Sequence, residues 1–252
     1  SLFLLWQFIV YWFCWRLVPS RASVPERLAL LFGFDIALNS LIATALSFLS
    51  LNYRASYLAI AVALLCVTKR LDAPAPLAFR PVHRFWLPYS ALFLPLIFLA
   101  ARPIEEVDSL YNLHFVLDWV TNRATPFVYA FNYPPFWELG YVPALVVGHS
   151  DLLLWFVSLK PILMLGVVLW LVTLELEMPS RLAVWATASA LTFPYLWLGP
   201  SGAATLKNDM MVAAGHTLAA LLAIRAAKAS LRRIDAAFLA LAVAFLATKF
   251  NG

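Results

Sequence analysis

Apolar residues dominate the chain in long blocks, and the polar residues fall between those blocks. Stretches at about 2–18, 28–50, 54–68, 85–101, 152–174, 182–198, 210–226 and 236–251 are each close to the length a helix needs to cross a hydrocarbon layer. None of them alternates apolar and polar residues in the two-residue rhythm of a membrane barrel strand, so the pattern predicts helices. The fold class expected is all-α: a polytopic transmembrane bundle of about eight spans, the third of them short enough to be tilted or partly interfacial.

One connection is unlike the rest. Residues 102–151 form a long link, whereas the other loops are short, and long loops in compact proteins tend to carry function. Inside it, "LHFVLDWV" has near-helical apolar spacing. The stretch "AFNYPPFWELGYVPALVVG" is aromatic, proline-punctuated and amphipathic, as helices lying at a membrane surface are. The loop is expected to fold back onto that surface.

Composition agrees with the pattern. Of 252 residues 63% are hydrophobic and only 12% charged, far from the balance of an ordinary soluble domain. The first span is followed by Arg16 and Arg21 and by no small-residue cleavage site, so it reads as retained and not as a removed signal. The chain starts at Ser1 and stops at "FLATKFNG", and further segments are expected beyond both ends. Cys14 and Cys66 lie in apolar spans and form neither a disulfide framework nor a metal motif.

The net charge of +5 changes the picture through its distribution. With the 18–27 loop in the cytoplasm, Arg16, Arg21, Arg27, Lys69, Arg70, Arg80, Arg84, Arg181, Arg225, Lys228, Arg232 and Arg233 all fall inside. Only Arg54, Arg102, Arg123, Lys207 and Lys249 face outward, and Lys160 lies within a span. This is the positive-inside bias of a membrane protein, not a nucleic-acid surface. The same orientation puts the stretch "IEEVDSLYNLHFVLDW" outside, with its carboxylates Glu105, Glu106, Asp108 and Asp118, and with them Glu138, Asp151 and Asp209.

Three outward stretches could carry chemistry. In "EEVDSLYNLH" a carboxylate could serve as a general base; alternatively these acids solvate the first turn of a helix and complement its dipole. In "GPSGAATLKNDMMVAAGHTL" Lys207 beside helix N-terminal amides suits a phosphate, and Asp209 could orient that lysine or accept a substrate hydroxyl. The plainer reading makes Asn208 or Asp209 a helix cap and Lys207 a headgroup anchor. Lys249 in "FLATKFNG" could snorkel to lipid phosphates or neutralise a substrate phosphate. Within the membrane, Lys160 precedes Pro161, and either functions there or pairs with Asp35. The scattered His114, His149 and His216 do not make a metal motif, and no Walker loop, GxSxG or GxGxxG element is present. Nucleotide-driven and serine-hydrolase chemistry therefore have no support.

Taken together, these residues resemble the GT-C superfamily of polytopic glycosyltransferases, the group that includes protein O-mannosyltransferases and the aminoarabinose transferase of lipid A. The resemblance rests on order and sidedness: "EEVDSLYNLH" after a span, then "NYPPFWELG", then "LKND" two spans later and "ATKFNG" two spans after that. It covers about residues 85–252 as a GT-C-like core and leaves 1–84 as additional N-terminal helices. Three spans precede the one that normally starts the fold, and Asn112 stands where many bacterial relatives have histidine.

The resemblance implies a transferase that takes a sugar from a polyprenyl-phosphate donor to an extracytoplasmic lipid, glycan or protein acceptor, with inversion, in a bacterial inner or plasma membrane. It implies Asp108 as the base, with Glu105 and Glu106 as alternatives, and Tyr111, Asn112, Arg123, Glu138, Lys207, Asp209 and Lys249 about the substrates. Members differ in their need for a divalent metal. Asp108 with Glu105 or Glu106 could offer oxygen ligands, but no full ligand set is evident and no metal site is assigned. Two other readings stay open: a non-catalytic GT-C-like subunit packed among membrane protein partners, and a transporter of a lipid-linked substrate built around Lys160, Asp35 and Pro161.

Overall fold

The computed structural model describes residues 2–72, 116–117, 120–123, 139–149, 153–193 and 209–247. Every regular element among them is helical: α1 (Leu2–Leu17), α2 (Val24–Phe48), α3 (Arg54–Thr68), α4 (Val142–Gly148), α5 (Leu154–Glu175), α6 (Ser180–Leu191), α7 (Asp209–Ala227) and α8 (Asp235–Leu246). Three of these, α2, α5 and α7, are long and apolar enough to cross a membrane, and α1, α3 and α8 are shorter apolar helices. This is the composition of a helical membrane protein. The expected span at 85–101 lies outside the described residues.

Two boundaries differ from the hydropathy reading. Helix α2 begins at Val24, four residues before its apolar run, because Ser23 and Glu26 form a helix-start pair: the Glu26 carboxylate accepts from the Ser23 amide and hydroxyl, both at 2.8 Å. Pro25, in the first turn, needs no hydrogen-bond partner for its nitrogen. Helix α6 ends at Leu191, well short of the span expected to reach 198. The Thr192 hydroxyl there turns back to the carbonyls of Ala188 and Ser189, at 2.9 and 3.2 Å.

The core runs through the middle of the bundle. Helix α5 packs along both α2 and α7, α7 also packs along α8, and α1 packs along α3. Small residues permit the close approaches: a Cβ on Gly33 of α2 would meet Leu241 Cδ1 of α8 at 2.5 Å, and one on Gly166 of α5 would collide with Leu191 Cδ1 of α6. The segment expected to lie on the surface behaves differently where it is described. Leu139 and Tyr141 to Val147 are buried, and α4 packs against α1 and α3. Their apolar side chains on all faces, with Tyr141 donating to or accepting from Ser158 of α5 at 2.9 Å, suit an interior position better than an interface.

Candidate functional site

Two polar clusters are built into this apolar bundle, one at an end of it and one in its interior. The first lies where α2 starts, α5 and α7 finish and α8 starts. Arg225, fully buried in the last turn of α7, donates from Nε to Glu175 at 2.7 Å, from Nη2 to Glu26 at 2.8 Å, and from Nη1 to Asp235. Arg232 adds a second guanidinium on Glu26. The planar fork of arginine serves three carboxylates from three helices at once, which an ammonium cannot do with the same geometry. Beside it, exposed Lys228 pairs with Glu177 at 2.8 Å and caps the Glu175 carbonyl at 2.5 Å, and it holds the Glu177 carboxyl below its usual range. Arg16 at the finish of α1 donates to the Leu71 carbonyl just past α3 at 2.7 Å, so that pair of helix ends also lies together.

The second cluster lies inside the bundle, between α1, α2 and α5. Lys160 Nζ is 2.6 Å from Asp35 Oδ2 and donates to Gln7 Oε1 at 2.5 Å. Asn39, one turn beyond Asp35 on the same face of α2, donates to the Asp35 carbonyl and to Oδ1, both at 2.9 Å. Its own Oδ1 accepts from Trp6 Nε1 at 2.8 Å and Gln7 Nε2 at 3.2 Å. Asp35 and Lys160 are both almost fully excluded from solvent. The pairing of Lys160 with Asp35 expected from the sequence is present, and the pair is closed: each charged group is answered by its opposite and by a neutral amide.

From this pair a line of buried polar and aromatic groups runs toward the other end. Trp6 meets Tyr57 edge to face at 5.2 Å. The Tyr57 hydroxyl donates to Asn52 at 3.2 Å, and Asn52 donates to Ser47 at 2.6 Å. Asn52, in the link between α2 and α3, also gives its amide to the carbonyl of Arg123 at 3.4 Å. Arg123 answers with Nη1 on the Asn52 carbonyl at 3.5 Å and lays its guanidinium 4.1 Å over the Tyr53 ring. The left-handed backbone at Arg123, φ 59°, is a strained position for a residue with a side chain.

Of the site residues expected from the sequence, Arg123 and Asp209 are described. Arg123 docks on the α2–α3 link. Asp209 opens α7, whose far end holds Arg225, so Asp209 stands at the end of α7 away from the arginine hub. Asp108, Glu105, Glu106, Tyr111, Asn112, Glu138, Lys207 and Lys249 lie outside the described residues. Among the described residues no group of histidine, cysteine and carboxylate side chains is arranged to hold a metal.

The hub around Arg225 does not follow from the sequence reading, although one signal is there: Glu26, Glu175 and Asp235 each sit where an apolar run begins or ends, beside arginines at the same helix ends. Gln7 and Asn39 escape that reading as well. The spacing of Asp35 and Asn39, four apart in an apolar helix, marks one polar face that needs a partner. No family model, curated protein or solved structure matches the chain.

Proposed function

We propose that the chain is a membrane glycosyltransferase of the GT-C type, which moves a sugar from a polyprenyl-phosphate donor to an acceptor on the extracytoplasmic side. The observation that carries the reading is the order in the sequence of four motifs, "EEVDSLYNLH", "NYPPFWELG", "LKND" and "ATKFNG", which the charge pattern predicts to lie on the side poor in basic residues. The ends formed by Arg123 and Asp209 are consistent with it, since Asp209 is at the end of α7 opposite the arginine hub and Arg123 is at the α2–α3 link, while Glu26 of the hub is at the start of α2.

In the proposed reaction the Asp108 carboxylate takes the proton of the acceptor hydroxyl as the hydroxyl oxygen attacks the anomeric carbon. The bond from that carbon to the phosphate oxygen breaks, and polyprenyl phosphate leaves with the electron pair. A single displacement of this kind inverts the anomeric centre. Negative charge develops on the leaving phosphate near a low-dielectric boundary, where fixed cations stabilise it more strongly than in water. Lys207, Lys249 and Arg123 are assigned that role.

The test is turnover of a polyprenyl-phosphate-linked sugar by the protein in proteoliposomes. Asp108→Asn is expected to lower donor consumption by about 10²–10⁴-fold, as loss of a positioned base does, with the helical content and melting temperature unchanged. Turnover equal to wild type would remove Asp108 from the role. No turnover by the wild-type protein with any lipid-linked sugar would favour the non-catalytic subunit. A transporter would use the Lys160–Asp35 pair as its binding site, but there both charges already hold protein partners, which favours a structural role for them.

A further inference from the structure

Outside both clusters stands a buried cation with no counterpart among the described residues. Arg27, the fourth residue of α2, is 3% exposed, and its Nε and Nη2 meet no hydrogen-bond acceptor there. Its guanidinium carbon lies 4.1 Å over the ring of Trp15, two residues before α1 ends. Side chains of a helix lean toward its N-terminus, so the group sits in the corner between the end of α1 and the start of α2, beside the positive end of the α2 dipole. The nearest carboxylate in sequence cannot answer it. Glu26 has one oxygen on Arg225 and Arg232 and the other on Ser23.

A guanidinium is always charged, and its N–H groups are expensive to bury without acceptors. Trp15 screens one face by a cation–π contact but accepts nothing in the plane where the N–H groups point. What the corner lacks is a planar or tetrahedral set of anionic oxygens. Its other formal charges favour such a ligand: Arg16 is at the finish of α1 and Arg21 is exposed in the turn. Because α2 is long and apolar enough to span a membrane, a residue in its first turn lies near the depth of lipid headgroups.

We infer that the α1–α2 corner binds a phosphate group through the in-plane N–H fork of Arg27, the phosphate being that of an anionic lipid headgroup or of a soluble phosphate. This is independent of the proposed transferase site and uses none of its residues. Arginine–phosphate recognition of this kind is bidentate and charge-assisted, so Arg27→Lys would keep the charge and lose the fork.

The experiment uses the whole chain in detergent micelles, with native mass spectrometry counting retained phosphatidylglycerol against phosphate-free diacylglycerol of the same acyl chains, and with thermal melting in inorganic phosphate against chloride at equal ionic strength. The wild-type protein is expected to retain phosphatidylglycerol preferentially, Arg27→Gln to lose that preference about tenfold, Arg27→Lys to fall between, and exposed Arg233→Gln, in the loop after α7, to behave as wild type. Preference for phosphatidylglycerol identifies the lipid as the source. A melting shift in inorganic phosphate that Arg27→Gln abolishes, without a lipid preference, identifies a soluble phosphate. Should Arg27→Gln fold poorly, Arg27→Lys decides, because it retains the cation over Trp15 and differs in the fork. Equal retention of the two lipids by the wild-type protein together with no phosphate-dependent melting shift would overturn the inference, as would undiminished binding in both Arg27→Gln and Arg27→Lys.

Discussion

At the scale of single residues, the chain answers most of its described interior charge from within. Lys160 and Asp35 are each almost wholly buried, and removing one leaves the other uncompensated in an apolar bundle. Lys160→Met is therefore expected to destabilise the folded protein by about 3–5 kcal/mol, while Lys160→Met combined with Asp35→Leu costs much less, because no lone charge remains. Reversible unfolding in mixed micelles distinguishes the two. A double variant as damaged as the single would mean that the pair does more than neutralise itself. At the hub, Arg225→Lys keeps the charge but cannot reach Glu26, Glu175 and Asp235 together, and is expected to cost about 2–4 kcal/mol. The exposed Lys228–Glu177 pair is a contrast: Glu177→Gln should leave the melting temperature unchanged, since exposed pairs contribute little.

At the scale of elements, the helices are largely legible in the sequence and their partners are not. Apolar runs at 2–18 and 54–68 correspond to Leu2–Leu17 and Arg54–Thr68, because in an apolar solvent the backbone must satisfy itself and a helix does so locally. Helix α2 starts earlier than its apolar run since Ser23, Pro25 and Glu26 start a helix by local chemistry that hydropathy does not weigh. The aromatic residues and prolines of "AFNYPPFWELGYVPALVVG" suggest amphipathic surface helices, and its described part, 139–147, is buried instead, which depends on α1 and α3 being there to cover it. Close packing at the helix crossings gives a further check. Gly166→Val places a branched side chain against Leu191 and is expected to cost about 1–3 kcal/mol in the same unfolding assay.

At the scale of the whole molecule, contacts that join distant parts of the chain set which helix ends lie together. Lys160 meets Gln7 across 153 positions and Arg225 meets Glu26 across 199. Sequence reasoning reaches one long-range partner, Asp35 for Lys160, because a charge inside a span needs an opposite charge and few are available. It has no comparable lever on the hub, where several acids and arginines compete for one another near the helix ends. The candidate site is legible only as motifs in order, and Arg123 is the member whose surroundings add something new: its carbonyl and guanidinium tie the 120–123 segment to Asn52 and Tyr53, at the end of the polar line that starts at Lys160.

The proposed function requires the arginine hub to face the inside of the membrane and the acidic 104–119 stretch the outside. The direct measurement is labelling of intact cells by a membrane-impermeant maleimide, in a chain with Cys14 and Cys66 replaced by serine and one new cysteine at a time. Ser109→Cys, in the acidic stretch, should label from outside, and exposed Arg233→Cys, in the loop after α7, should label only once the membrane is opened. Labelling of both positions from the same side, or of Arg233→Cys alone in intact cells, would contradict the orientation and with it the placement of Asp108 at an outward-facing catalytic site.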